Sequence, residues 1–201
     1  MVRLILGSAL AAVAMLIVGF LIHATPLSRL GTGSLGNVSA TLLQAQLREN
    51  LPSTGTYVVP DPDTAEQTAL YGAGPIATIH FNADGHAAGD PGMFLSGLIL
   101  NFLVALLIGA GLSTIDFRSR DIASLARLVV PFAFAAAMFI HIGRPIYMHH
   151  DWSNAIFSMI ADGLALAVGG LVVAWFLPNR ERRATATNAP SPFRKSGDEP
   201  V

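Results

Sequence analysis

The sequence predicts an all-α membrane protein, a four-helix transmembrane bundle with a small α+β extracytoplasmic cap between spans 1 and 2. Three observations lead to this prediction. Only 12% of the 201 residues are charged, whereas charged residues make up about one-quarter of a typical soluble domain. Four apolar runs each come close to the roughly 20 residues that a helix needs to cross a bilayer core. No run alternates like a barrel strand, so helices that satisfy their own backbone groups are expected.

The four runs divide the chain into domains. Residues 1–22 form the first span, 23–92 the cap, 93–177 the other three spans, and 178–201 a disordered cytoplasmic tail rich in Pro, Arg, Ser and Thr. The later spans correspond to residues 93–112, 125–142 and 155–177. The first apolar run is longer than the roughly 7–15 residues of a signal-peptide core. This length favours a retained anchor over a cleaved signal.

Arginines indicate the orientation of the spans, because short cytoplasmic flanks are enriched in positive charge. The dense flanks hold Arg3, Arg118, Arg120, Arg127, Arg180, Arg182 and Arg183, whereas the other connections hold only Arg29, Arg48 and Arg144. All the dense flanks fall on one side of the predicted membrane. Both termini are therefore predicted to be cytoplasmic, with residues 23–92 and 143–154 outside.

The cap is predicted to contain one helix and two short strands. Residues 39–50 have apolar side chains at helical spacing after a serine that is suited to capping. Residues 55–60 and 75–82 have strand patterns, and the clusters "PDPDT" and "YGAGP" between them are typical of turns. Because two strands alone are only marginally stable, we expect the sheet to pack on the cap helix and on the tops of the spans.

The stretch "LPSTG", residues 51–55, matches the signal that sortases cleave, but its position indicates a turn. A sortase signal lies near the C-terminus, directly before a single apolar segment and a basic tail. Here three predicted spans come after the stretch. Pro52 ends the preceding helix because proline cannot continue one, and Gly55 favours a turn into the first strand. We therefore interpret the stretch as a helix-to-strand connection.

Several segments resemble a known family. "TPLSRL", "LPSTGTYVVPDPDT", "LYGAGPIATIHFN" and "ARLVVPF" are similar to segments of uncharacterised bacterial four-span inner-membrane proteins, whose first external loop has the pattern LPxTGxYxxPxP…YxxGPxA. The resemblance covers most of residues 1–178. It implies a multi-pass protein of the bacterial inner (plasma) membrane. The family has no established activity, so the resemblance implies no substrate, cofactor or site residue.

Few residues point to chemistry. The chain has no cysteine, which excludes disulfides, thiolate metal sites and cysteine nucleophiles. No GxSxG, GxGxxG or GxxxxGK[ST] motif is present, so no catalytic residue is predicted. All six histidines fall on the predicted outer side: His23, His80, His86, His141, His149 and His150. "HHD" at 149–151 carries ligand types suited to zinc or copper, but its spacing supports no metal site, and the sequence identifies no cofactor.

Four polar residues form a candidate intramembrane cluster: Asn101, His141, Arg144 and Asp162. By the helical rise, Asp162 and Asn101 lie roughly 10 and 12 Å into their spans. A charged aspartate there costs about 2.5–3.5 kcal/mol on insertion scales, so Asp162 is expected to face Asn101 or His141 rather than lipid. This cluster has two interpretations. It is either a structural clasp between helices or a ligand or proton site that opens outward, and the clasp is the preferred interpretation.

The sequence is consistent with two hypotheses for function. The first is a non-enzymatic envelope scaffold that binds a membrane or envelope protein partner through its cap. The alternative is a small integral-membrane protein that binds a metal, haem or small molecule at its outer face. Under both hypotheses the four spans are expected to lie in the lipid bilayer. The formal net charge of −1 gives no indication of a nucleic-acid partner.

Overall fold

The computed structural model of the protein describes residues 1–115 and 122–177. In chain order, the elements are α1 (Val2–His23), a 3-10 turn (Pro26–Leu30), α2 (Asn37–Asn50), β1 (Gly55–Val59), α3 (Ala65–Ala73), β2 (Ala77–Phe81), α4 (Pro91–Thr114), α5 (Ile122–Met148) and α6 (Trp152–Phe176). The fold is 74% helical, so the two-stranded sheet is a minor feature. The predicted cytoplasmic tail and the arginines at 118 and 120 lie outside the described residues.

Four of the helices, α1, α4, α5 and α6, are long and apolar enough to cross a membrane. This finding confirms the prediction of four apolar helices. Three of them both begin and end within about three residues of the predicted runs, and α5 begins within three residues of its run. The apolar runs predict these helices well because a bilayer-length apolar segment has few other ways to satisfy its backbone groups.

Helix α6 lies at the centre of the bundle and packs on the other three long helices. It is antiparallel to α1, because Phe176 lies against Gly7 while Phe157 lies against His23. Helix α4 packs mainly on α1 and touches α6 less extensively, and α4 and α5 are barely in contact. We call the end of the bundle where α1 ends and α4 begins the cap end. A groove remains between α4 and α5.

Small residues allow the long helices to approach closely. Ala11, Ala105 and Ala137 are fully buried, and each belongs to a pair of small residues four apart, a spacing that favours close helix contacts in lipid. On α6, a Cβ atom at Gly170 would lie 2.5 Å from Cγ1 of Val129, and one at Gly163 would lie 2.8 Å from the ring of Phe134. The contact between α5 and α6 therefore depends on glycines.

Helix α5 is longer than predicted. The predicted span ended at residue 142, but the helix continues through Arg144 and Pro145 to Met148. The connection to α6 is therefore only residues 149–151 rather than 143–154. Proline disfavours the helical conformation of the residue before it, which is why the sequence indicates an earlier end. Pro145 is buried, although a proline inside a helix removes one backbone hydrogen bond.

The cap contains a second helix that was not predicted from the sequence. β1 and β2 pair antiparallel, with Tyr57 opposite Ile79, as the predicted strands require. Between them, "PDPDT" leads into α3 instead of forming only a turn, because the hydroxyl of Thr64 accepts a hydrogen bond from the backbone N–H of Gln67 at 3.2 Å. Thr64 was the signal in the sequence that could have predicted α3, since threonine commonly caps the start of a helix in this way.

The predicted packing of the sheet on the cap helix is wrong. Helix α2 has no buried residue and makes almost no contact with the other described elements. The sheet instead reaches the bundle through the connection between α5 and α6, where His150 Nε2 and Thr78 Oγ1 lie 3.1 Å apart. The apolar side of α2 therefore stays exposed.

The "LPSTG" stretch connects α2 to β1, as expected. The hydroxyl of Thr54 accepts a hydrogen bond from the backbone N–H of Ala83 at 3.0 Å and donates to Oδ1 of Asn82 at 3.4 Å. Thr54 thereby holds the start of β1 against the end of β2. It has a structural role in a turn between two elements.

Thr54→Ala tests this interpretation. We expect unchanged localisation and apparent mass, with a loss of cap stability of about 0.5–1.5 kcal/mol from the missing hydrogen bonds. Mass spectrometry of the mature protein and limited proteolysis of the cap measure the two effects. A processed form that is present in the wild type and absent in the variant would show that the stretch is a cleavage site.

Candidate functional site

His141 and Asp162 form a hydrogen-bonded pair between α5 and α6. Nε2 of His141 and Oδ2 of Asp162 lie 2.7 Å apart, and the imidazole donates in the tautomer that is protonated at Nε2. The side chain of His141 is only 10% exposed, whereas that of Asp162 is 52% exposed. The pair is therefore a buried imidazole that orients a carboxylate with a free side.

Helical spacing places both residues. On α5, Val129, Ala133 and Ala137 are buried at four-residue intervals, and His141 continues this stripe toward the cap end. On α6, Asp162 lies ten residues after Trp152, roughly 15 Å along the axis. This distance exceeds the predicted one because α6 begins before residue 155. The expectation was that Asp162 faces Asn101 or His141 rather than lipid. Asp162 contacts His141, but its side chain is only half-covered.

The other two members of the predicted cluster are not joined to this pair. Asn101 lies ten residues into α4, at a similar height to Asp162, but its side chain makes no hydrogen bond with another described residue. Arg144 lies one turn beyond His141 and lines a separate crevice beneath the cap. The structure thus brings together two of the four candidates, since helix direction and tilt decide which polar residues meet.

An apolar groove begins about one turn from Asp162, on the side away from the cap. It has a volume of about 390 Å³ and lies between α4 and α5, with Leu166 of α6 at its floor. Asp162 and Leu166 are four residues apart, so they share one face of α6. The carboxylate therefore lies just beyond the end of the groove that is nearer the cap.

The position of α4 leaves Asp162 accessible. The buried residues of α4 are Ala105, Gly109 and Leu112, all in the half far from the cap. Residues 91–96 are exposed on every side. Near the cap, α4 consequently does not cover α6, and the carboxylate of Asp162 remains half-exposed.

The "HHD" stretch has three separate structural roles. His149 has a φ of 53°, a left-handed conformation that helps the chain reverse between α5 and α6, and its ring lies near that of Tyr71. His150 contacts Thr78. Asp151 caps α6 by accepting from the backbone N–H of Asn154 at 2.7 Å. Among the described residues, no group of three His, Cys, Asp or Glu side chains is arranged to hold a metal ion.

A second crevice, which we call the cap crevice, separates the sheet from the cap end of α5. Its volume is about 590 Å³, and its lining includes Asp61, Tyr71, His80, Arg144 and His150. Neither this crevice nor the apolar groove was predicted from the sequence. Arg144 and His150 were available signals for the crevice, but the sequence does not show that β1 and β2 lie above them.

No family model, curated protein or solved structure matches this chain. The resemblance of its external loop to four-span inner-membrane proteins therefore stays a prediction. Function is accordingly inferred from the geometry of the described residues.

Proposed function

We propose that this is a multi-pass protein of the bacterial inner membrane that binds a small amphiphilic molecule at the His141–Asp162 pair. In this proposal both termini are cytoplasmic and the cap is outside. Four bilayer-length apolar helices support the membrane placement, and the arginines of the flanks support the orientation.

One observation carries the binding proposal: the half-exposed carboxylate of Asp162 lies one turn along α6 from Leu166, which lines the apolar groove. An ionised side chain in such a position costs about 2.5–3.5 kcal/mol on insertion scales. A structural clasp would be most stable with both partners covered. An exposed carboxylate next to a groove is better explained by a ligand that covers it.

The two parts of the site specify the chemistry of the ligand. The free side of the carboxylate accepts hydrogen bonds, so the head of the ligand must donate through a hydroxyl, amine or amide group. The groove is lined almost entirely by aliphatic and aromatic side chains, so the remainder of the ligand must be apolar. A volume of about 390 Å³ is within the usual range of ligand pockets, roughly 300–1,000 Å³.

A photoreactive long-chain alcohol with a diazirine in its chain tests the proposal. We expect Asp162→Asn to reduce labelling of the purified protein by about tenfold or more, because hydrogen bonds to charged acceptors contribute roughly 1.5–3 kcal/mol. Asp84→Asn is the matched control, since Asp84 is an exposed cap residue. Equal labelling of both variants and the wild type would favour the clasp and overturn the binding proposal.

A scaffold function is the second candidate, and the surface of α2 favours it. Val38 is 75% exposed and Leu42 is 63% exposed, on a helix that does not pack on the bundle. A photo-cross-linking amino acid at Leu42 tests this function in intact cells, with Gln44, which lies on the opposite face of α2, as the control position. Cross-links to one protein from position 42 alone would support a scaffold, whereas cross-links only to lipid would indicate a helix that lies on the membrane.

Cysteine labelling tests the proposed orientation. The natural chain has no cysteine, and a Cβ atom at Gly85 would meet nothing within 4 Å. We expect Gly85→Cys to react with an impermeant maleimide once any outer membrane is permeabilised, and Ser191→Cys to react only after the inner membrane is opened. The opposite pattern would reverse the orientation.

A further inference from the structure

The cap crevice holds one cation and one carboxylate that do not pair. Arg144 and Asp61 both line it, yet neither side chain forms an ion pair within 4.0 Å of any described residue. The single ion pair among the described residues is His141–Asp162. The crevice therefore presents two opposite charges that a molecule between them can bridge.

Two histidines line the cap crevice together with Arg144. His80 uses Nδ1 in a 3.0 Å contact with Thr56 Oγ1, and His150 uses Nε2 in its contact with Thr78. When each threonine hydroxyl donates, the other ring nitrogen of each histidine carries a proton and becomes a donor. With the guanidinium, whose fork matches phosphate geometry, these groups make one side of the crevice suited to an anion.

Asp61 gives the crevice an acceptor. Its backbone N–H donates to Oε1 of Gln67 at 2.9 Å, which ties the residue to α3, while its carboxylate has no partner among the described residues. A carboxylate in the same crevice opposes a purely anionic ligand. It favours a ligand that also carries an ammonium group.

We propose that the cap crevice binds a phosphoethanolamine group, with the phosphate on Arg144 and the ammonium on Asp61. The cap end of the bundle lies at the outer membrane surface in the proposed topology, so the group can belong to a phospholipid or to a soluble molecule. The crevice shares this membrane placement with the amphiphile site but none of its binding residues. Failure here would therefore leave the His141–Asp162 proposal intact.

Binding to the purified full-length protein tests this inference with three probes: radiolabelled phosphoethanolamine, inorganic phosphate, and nanodiscs that contain either phosphatidylethanolamine or phosphatidylglycerol. We expect Arg144→Gln and Asp61→Asn each to weaken binding of the zwitterionic probe by about tenfold, since charge-assisted hydrogen bonds are roughly twice as strong as neutral ones. Arg48→Gln and Asp84→Asn are the controls, because these residues lie outside the crevice. Arg144→Lys keeps the charge and should retain part of the affinity.

The outcomes separate the sources of the ligand. Binding of soluble phosphoethanolamine supports a soluble molecule, and selective retention of phosphatidylethanolamine alone supports a lipid headgroup. Inorganic phosphate or phosphatidylglycerol bound as tightly as the zwitterionic probes would overturn the role of Asp61. Absence of binding by all probes, or variants that bind like the wild type, would overturn the proposal as a whole.

Discussion

Gly170→Ala should destabilise the bundle, although alanine is the better helix former. The new Cβ atom would lie 2.5 Å from Cγ1 of Val129, a β-branched and buried side chain with little rotamer freedom. Overpacking of this kind typically costs about 1–3 kcal/mol. We expect a lower melting temperature in mild detergent and faster unfolding in a denaturing one.

Gly19→Ala is the matched control for this effect. A Cβ atom there would meet nothing within 4 Å, so only the preference of alanine for helices remains, which favours the folded state by up to about 1 kcal/mol. The two substitutions should therefore change the melting temperature in opposite directions. Equal effects would mean that α5 and α6 do not pack as closely as the structure indicates.

Gly111→Phe should weaken the binding of long amphiphiles while leaving the His141–Asp162 pair unchanged. Gly111 lines the apolar groove, and no atom lies within 4 Å of its Cβ position, so an aromatic ring can occupy the groove. The long-chain diazirine alcohol should label this variant about tenfold less, a change of about 1.4 kcal/mol in binding free energy.

Chain length provides the internal control. Gly111 lies at the end of the groove far from Asp162, so an alcohol with a short chain should label Gly111→Phe as well as the wild type. Gly97→Phe introduces the same side chain on α4 outside the groove, where the Cβ position is also open. The long-chain and the short-chain alcohol should both label this variant as well as they label the wild type. If neither alcohol labelled Gly111→Phe, the substitution would have disturbed the bundle in general instead of filling the groove.

The sequence predicted the long helices and predicted that Asp162 faces Asn101 or His141, but it did not predict the apolar groove or the cap crevice. An apolar run of bilayer length indicates a helix almost by itself. A polar residue in such a helix has few available partners, which is why depth alone reduced the predicted partners of Asp162 to Asn101 and His141. The apolar run is a local signal, and the depth of a polar residue depends only on its position along one helix.

The remaining features depend on how elements are tilted and docked. Asn101 has the correct height for the pair, but α4 makes its close contacts only in the half far from the cap. Arg144 was expected to lie near Asp162, whereas the continuation of α5 through Pro145 carries it to the cap crevice. Neither the α4–α5 groove nor the crevice has a pattern within one segment, because each forms between side chains of different elements.

Mapping the positions that the long-chain diazirine alcohol labels is the most direct test of the amphiphile site. We predict that mass spectrometry of the cross-linked wild-type protein will locate the labels on groove residues of α4 and α5, such as Leu107 and Phe132, and that Asp162→Asn will remove them. Labels spread over apolar surfaces away from the groove, such as those at Phe20 and Trp175, with the same pattern in Asp162→Asn, would contradict an amphiphile site at His141–Asp162.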